Sequence, residues 1–419
     1  MKKRLTFLLI SVFAGLTAAA QATSGGQSTD TEKRIVTLEN EVSKLKKLKI
    51  SGYIQGQFQW GEEAASLKVG TTNENTEKSF NRFGVRRGRI KFTYEEGITS
   101  AVFQLDVTEK GVGFKDAYLN IKDPWIKSLA LRAGVFDRPF GYEISYSSSR
   151  RESPERSTVF QTLFPDERDL GGMLVLQAPE ASAWRILKLE AGLFAGNGIK
   201  PETDSKKDFI GHLSAAKEWG NVSFGAGVSY YNGQVYQGTA NVYTMNGSGF
   251  VLNDNSSNKG KFAKREYVGF DARFTLTTAA GKTQIRGEYL FGQQPGTAAS
   301  SKSPNDKELP KSDTYIRDFS GGYAMLVQGL GQLPAALVAK YDWYDPNTKV
   351  SKDEIGQNGT NKTDMAKTTL GVGAYWDMNP ALRLTAYYEF NGNEKSDHTS
   401  GFDKNRKDDI FTLRLQYKF

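Results

Sequence analysis

Arg87, Arg89 and Lys91 stand at alternate positions of one segment, Phe83–Tyr94, with Val85 in step and Gly88, Ile90 and Phe92 out of step. If that segment is extended, one of its faces is a short ladder of cations. Guanidinium forks of this kind suit the oxygens of phosphate or carboxylate groups. Arg132, Lys188, Arg265, Arg273, Arg286, Lys340, Arg383 and Arg414 also fall on the faces opposite the apolar residues of their segments. Carboxylates are interleaved with them: Asp106, Asp116, Glu190, Asp271, Glu288, Asp342, Asp377 and Glu389. Rows of arginine bias a water-filled passage toward anions. Inward charges of both signs also serve simply to hold a wide wall together, and the residues alone leave both readings open. Arg86 falls on the opposite side. A cation facing lipid at mid-depth costs about 2–4 kcal/mol, so Arg86 is expected at a rim or a subunit contact.

Other chemistries find little support. The absence of cysteine removes disulfides, thiol catalysis and cysteine metal sites, and His212 and His398 are the only histidines. Gly281-Lys282-Thr283 resembles the end of a phosphate-binding loop, but Leu276 stands where its first glycine must be. No catalytic constellation emerges, so an enzyme is not expected, nor is any cofactor or metal. The formal charge of +8 includes Lys2, Lys3 and Arg4 near the N-terminus, and the remaining cations are scattered among nearly as many carboxylates. That pattern argues against a nucleic-acid partner.

The ladders need extended elements to position them. From Leu48 to Trp60 every even residue is apolar or glycine, and the odd ones are Lys49, Ser51, Tyr53, Gln55, Gln57 and Gln59. The same period of two recurs at Ala101–Val107, Leu129–Val135, Val222–Tyr230, Val268–Leu276, Leu370–Trp376 and Phe411–Phe419. Counting such segments predicts a transmembrane antiparallel β-barrel of about sixteen strands, an all-β fold with alternate residues facing lipid and a polar bore. Its connections alternate too. Tight ones such as Glu95-Glu96-Gly97 and Met378-Asn379-Pro380 separate long polar ones near 61–82, 137–169, 232–264, 292–318, 345–365 and 391–408. A mean hydropathy of −0.51 excludes a helical membrane protein without excluding a barrel. A soluble sandwich seldom needs so many strands, and a solenoid would show a fixed repeat, which is not visible.

The N-terminus sets the compartment. Lys2-Lys3-Arg4, an apolar run from Leu5 to Leu16, and Ala20-Gln21-Ala22 read as a cleaved signal peptide over residues 1–22. Residues 23–49 then form a flexible tether and a short helix, roughly Thr31–Lys49, in which Ile35, Leu38, Val42, Leu45 and Leu48 make a coiled-coil stripe. The helix either packs against its own barrel or joins protomers, for which a homotrimer is the expected state. Residues 50–419 supply the barrel.

One long segment could narrow the bore. Residues 137–169 hold Arg138, Arg150, Arg151, Arg156 and Arg168 against seven carboxylates and no lysine, a net charge of −2. Folded inward, they would present arginines at a constriction.

Phe83-Gly84-Val85-Arg86-Arg87-Gly88-Arg89, Phe114-Lys115-Asp116-Ala117-Tyr118-Leu119, Arg132-Ala133-Gly134-Val135-Phe136, Pro139-Phe140-Gly141-Tyr142-Glu143 and the terminal Phe419 form an ordered set. As such the chain resembles the phosphate-selective porins O and P across nearly all of its expected mature length. The resemblance implies a sixteen-stranded, trimeric outer-membrane channel whose third external loop enters the bore. It also implies an arginine ladder for phosphate, which Arg87 and Arg89 would match. The function expected is therefore passive diffusion of small hydrophilic solutes through outer-membrane lipid, with a preference for phosphate or other anions. The alternatives are a general porin open to sugars or peptides, or an adhesion or structural barrel.

Overall fold

A computed structural model describes residues 27–419, so the proposed signal peptide and the start of the tether lie outside the described residues. Helix α1 (Gln27–Lys46) has Asp30 in its first turn and Lys44 and Lys46 in its last, complementing the helix dipole. Ile35, Leu38 and Val42 are exposed along it. Leu48, the last member of the expected stripe, belongs to the first strand instead, because alternation with Ile50 overrides the helical spacing there.

The chain from Ile50 onward forms a unit of its own. Its first half comprises β1 (Leu48–Gly61), β2 (Phe80–Glu96), β3 (Thr99–Thr108), β4 (Gly111–Lys122), β5 (Leu129–Asp137) and β6 (Arg168–Gln177). β7 (Leu187–Phe194), β8 (Asp208–Trp219) and β9 (Val222–Tyr236) follow, and then a hairpin, β10 (Val242–Asn246) and β11 (Gly249–Asn253). The second half is β12 (Phe262–Thr278), β13 (Gly281–Gly296), β14 (Thr314–Gly329) and β15 (Ala335–Asp345). It ends with β16 (Lys367–Asn379), β17 (Leu382–Asn393) and β18 (Ile410–Lys418).

β9 pairs directly with β12, which leaves the β10–β11 hairpin outside the ring, where β10 makes a short parallel contact with β14. β18 pairs with β1 from Tyr53↔Lys418 to Gly61↔Ile410, and the sheet closes. The result is a closed barrel of 16 antiparallel strands, as the alternation predicted. Closure leaves no unpaired edge, the condition for backbone to cross a lipid layer.

The outer face carries the expected apolar residues, among them Ile54, Phe103, Leu131, Leu174, Phe270 and Leu415. The inner face is less uniformly polar than expected. Tyr231, Tyr267, Leu290, Phe319, Tyr323 and Tyr344 point inward from β9 and β12–β15 and are buried. They are covered by α2 (Thr158–Leu163), a short helix within the segment between β5 and β6, through Val159, Phe160, Leu163 and Phe164. An apolar core therefore sits inside the barrel, between its wall and one folded loop.

Candidate functional site: the loop-filled lumen

Residues 138–167 leave β5, cross the lumen and return to β6. Their path begins at Gly141, whose positive φ of 62° and crowding against a Glu288 carboxylate oxygen leave no room for a side chain. Glu288 accepts the N–H groups of Tyr142 (2.8 Å) and Glu143 (2.6 Å) and the hydroxyl of Tyr323 (2.8 Å). The amide of Gly141 donates to Ser229 Oγ at 2.8 Å. Asp342 accepts the N–H of Thr158 at 3.1 Å, and Lys340 pairs with Glu143 at 2.7 Å. Asp166 and Glu167, both in the left-handed region with φ of 60° and 70°, turn the chain back into β6. Such backbone costs about 1–3 kcal/mol per residue and persists only where surrounding contacts fix it. Here Glu167 pairs with Arg156 and Arg168.

The arm from Ser145 to Glu155 spans to the opposite wall. Ser148 Oγ lies 2.5 Å from the Tyr53 hydroxyl, and the Ser148 carbonyl accepts from Gln55. Gln416 donates to the Ser149 carbonyl, and Arg414 to that of Pro154. Glu152 pairs with Arg286 at 2.5 Å. Glu155 receives three guanidiniums: Arg86 at 2.8 Å, Arg87 at 2.9 Å and Arg414 at 3.2 Å. Burial pushes the Glu155 carboxyl up, but Arg86, Arg87 and Arg414 outweigh it and hold the group well below the usual carboxylate range. Burial, followed by the repulsion of Arg156 and Arg87, pushes Arg151 well below the usual arginine value.

A carboxylate with a depressed folded value stabilises its contact above about pH 4.3, and that contribution fades as pH falls toward the folded value. Single-channel conductance of Glu155→Gln should therefore differ from the unaltered protein by a constant ratio between pH 5 and 8. A ratio collapsing to one by pH 6 would contradict this.

The placement of the sequence-predicted residues is uneven. Arg87 meets Glu155, Arg89 meets Asp106 at 3.4 Å, and Arg414 meets both Glu155 and Gln57. Arg265 is bound to Asp208 and to the carbonyl of Gly196, and is buried. Lys188 pairs with Glu190 at 2.8 Å. Arg273 lies over the Tyr142 ring, while Arg383 pairs with Asp377 at 2.6 Å and lies over Tyr375.

The loop arginines separate. Arg138 is buried against Asp169 and lies over the ring of Phe164, a member of the lumen's apolar core. Arg150 is exposed, and Arg156 is tied to Glu167 and the carbonyls of Glu143 and Ile144. Arg151 is buried, and none of its three side-chain nitrogens has a hydrogen-bond partner among the described residues.

Arg86 departs from expectation, since its guanidinium reaches inward to Glu155. Pairing of β2 with β3 starts only at Arg89↔Asp106, and the Gly88 N–H is taken by the Asp106 carboxylate. Strict alternation is therefore not enforced from the β3 side above that point. Glu155 itself was not singled out from the sequence. Its signal was the loop's net negative charge, which complements the basic wall.

Several spaces flank the loop. One of about 200 Å³ lies against β1–β6 and is lined by Arg89, Lys91, Arg132, Arg156 and Arg168, with Asp116 and Asp137 opposing them. Arg132 lies over the rings of Tyr118 and Phe136. Toward β16–β18 a space of about 390 Å³, lined in part by Lys302, Lys367 and Asn391, sits on the long-loop side. Another of about 740 Å³ sits toward the tight turns, lined by Arg150, Asp377, Arg383 and Gln416. Between the last two, Tyr387 fills the room that Gly371 and Gly373 leave on the wall.

No family model and no curated protein matches the chain. Among solved structures it is similar to OprB of Pseudomonas putida, with 10% identity and a TM-score of 0.56, over 91% of this chain and 96% of that one. It is similar to OmpF of Salmonella typhi, with 13% identity and a TM-score of 0.56, over 89% and 97% of the two chains. The outer membrane channel DcaP of Acinetobacter baumannii gives 12% identity and a TM-score of 0.51, over 89% and 97%. At these identities the likeness is one of fold, a closed porin-type barrel.

Proposed function

We propose that the protein is an outer-membrane porin, exported by a cleaved leader and assembled as a homotrimer, that passes small hydrophilic solutes and favours anions such as inorganic phosphate. The observation carrying the anion preference is the space at β1–β6, where Arg89, Lys91 and Arg132 converge with Arg156 and Arg168 against two carboxylates. Among the described residues Lys91 has no ion pair, and Arg132 has only the rings of Tyr118 and Phe136 against its guanidinium. A passing anion can therefore meet them without first displacing a protein carboxylate. The exposed stripe of α1 supports the trimer, because three such helices would cover one another's apolar residues. A second reading, a porin without charge preference, is favoured by the number of inward arginines already neutralised by wall and loop carboxylates.

Reconstitution in planar bilayers under a potassium chloride gradient decides between them. Discrete conductance steps with a reversal potential toward the chloride equilibrium are expected. Changing Arg89, Lys91 and Arg132 together to Gln should shift that potential toward cations. An unchanged value with conductance intact would leave the unselective reading.

A further inference from the structure

The tight-turn end of the barrel differs around its circumference. Three consecutive connections there, β4–β5, β6–β7 and β8–β9, each hold or border an exposed tryptophan: Trp125 at 87%, Trp184 at 71% and Trp219 at 52%. Among the described residues no other connection at that end carries one. Local bonds fix the first two. Asp123 accepts the N–H groups of Trp125 and Ile126, both at 3.0 Å, and Ser182 Oγ accepts that of Trp184 at 3.2 Å. A cation stands within two residues of each ring. Lys127 and Arg185 are exposed, and Lys217 Nζ lies 5.3 Å from the centre of the Trp219 ring. None of the three has an ion pair among the described residues. Asp123 is occupied by the turn, and Glu218 falls on the opposite face of β8 from Lys217 and Trp219, which leaves Glu180 as the exposed acid of these connections. Toward mid-barrel the same sector shows exposed leucines in register, Leu129↔Leu176↔Leu189↔Leu213.

We propose that the β4–β9 sector binds a phospholipid with an anionic headgroup, in the leaflet that meets the tight turns, and that Lys127, Arg185 and Lys217 select its charge. The inference rests on the barrel lying in a membrane, not on what the barrel conducts. Leucine, tryptophan and cation follow one another in the order of a phospholipid read from its chains to its phosphate. Tryptophan rings settle at headgroup level, and lysine or arginine beside them is drawn to anionic lipid. An aromatic belt alone would serve any lipid and would run round the whole barrel. Here ring and cation coincide on three neighbouring connections only. The β2–β3 turn carries Glu95, Glu96 and Ile98 instead, and Arg383 at the β16–β17 turn is closed on Asp377.

Phosphatidylglycerol is the probe and phosphatidylcholine the comparator, each brominated in its chains so that it quenches nearby tryptophan. The full chain with Trp60→Phe, Trp343→Phe and Trp376→Phe reports on the three rings alone. In mixed bilayers phosphatidylglycerol should be favoured at these rings about five-fold. Adding Lys127→Gln, Arg185→Gln and Lys217→Gln should bring the two lipids to parity. Lys259→Gln with Lys352→Gln, on the long-loop side, should leave the preference unchanged. Equal quenching by both lipids before the cations are removed, in a barrel that conducts, overturns the headgroup selection and leaves the porin. A preference shown by a barrel that conducts nothing keeps the site and removes the porin. Quenching by neither lipid means that protein covers the rings, and it overturns the proposal as well. Should the phenylalanine variant fail to give a folded, heat-modifiable barrel, native mass spectrometry carries the test. The unaltered protein should retain phosphatidylglycerol and the variant lacking the three cations should lose it, and equal retention overturns the proposal.

Discussion

Replacing Phe160 and Phe164 together by alanine is expected to raise single-channel conductance several-fold while the barrel stays folded. Both rings are buried, and they pack against Tyr231, Tyr267 and Tyr323 inside the lumen. Truncating a buried phenylalanine costs about 3–5 kcal/mol, and here most of that falls on the seat of α2. The wall does not share the loss, because its strands are joined by backbone ladders that neither ring contributes to. With α2 unseated, the polar contacts of the loop must hold a segment whose apolar anchor has gone. Conductance in planar bilayers, read beside heat-modifiable migration of the same sample, separates the two parts. A folded variant with unaltered conductance would mean that the loop does not limit passage.

Arg138→Met is expected to be the most destabilising single change in the wall. Arg138 and Asp169 are 1% and 0% exposed and lie 3.0 Å apart. Asp169 also accepts the N–H groups of Leu170 and Gly196, so removing the arginine strands a carboxylate that cannot move to water. Breaking such a pair from one side costs about 3–5 kcal/mol. Arg138→Met/Asp169→Asn should recover much of the loss, because the amide oxygen still accepts and no charge remains. By contrast Lys311 and Glu308, both exposed, form a pair screened by solvent, and Lys311→Met should be nearly silent. Urea unfolding midpoints in lipid check all three. An Arg138→Met midpoint indistinguishable from that of Lys311→Met would refute the argument.

The barrel was legible because its signal is repeated in every strand. Ile54 against Gln55, or Leu413 against Arg414, states which side faces lipid without reference to any distant residue. The lumen was legible only in part. Tyr231 and Tyr267 occupy inward positions where alternation predicts polar residues, and their true partner is a helix of six residues far along the chain. No local period can announce that packing. Arg86 falls outward by alternation, yet its guanidinium turns inward to Glu155, because β3 pairs with β2 only from Arg89 onward. The loop's acidic excess, set beside five arginines, has no local explanation in the sequence. Its meaning appears once Glu143, Glu152 and Glu155 are seen to face Lys340, Arg286 and the Arg86–Arg87–Arg414 group across the bore.

The seam between β1 and β18 has a consequence for how the molecule is made. Residues 53–61 are zipped to residues 410–418, and Phe419 exchanges backbone hydrogen bonds with Gly52. The earliest strand must wait, with one flank unpaired, until the last nine-residue stretch has been delivered. Contacts this distant in sequence form late and slowly. Exposed, half-finished sheet is prone to sticking to its own kind. The connectivity thus keeps that flank open to other chains until the seam closes.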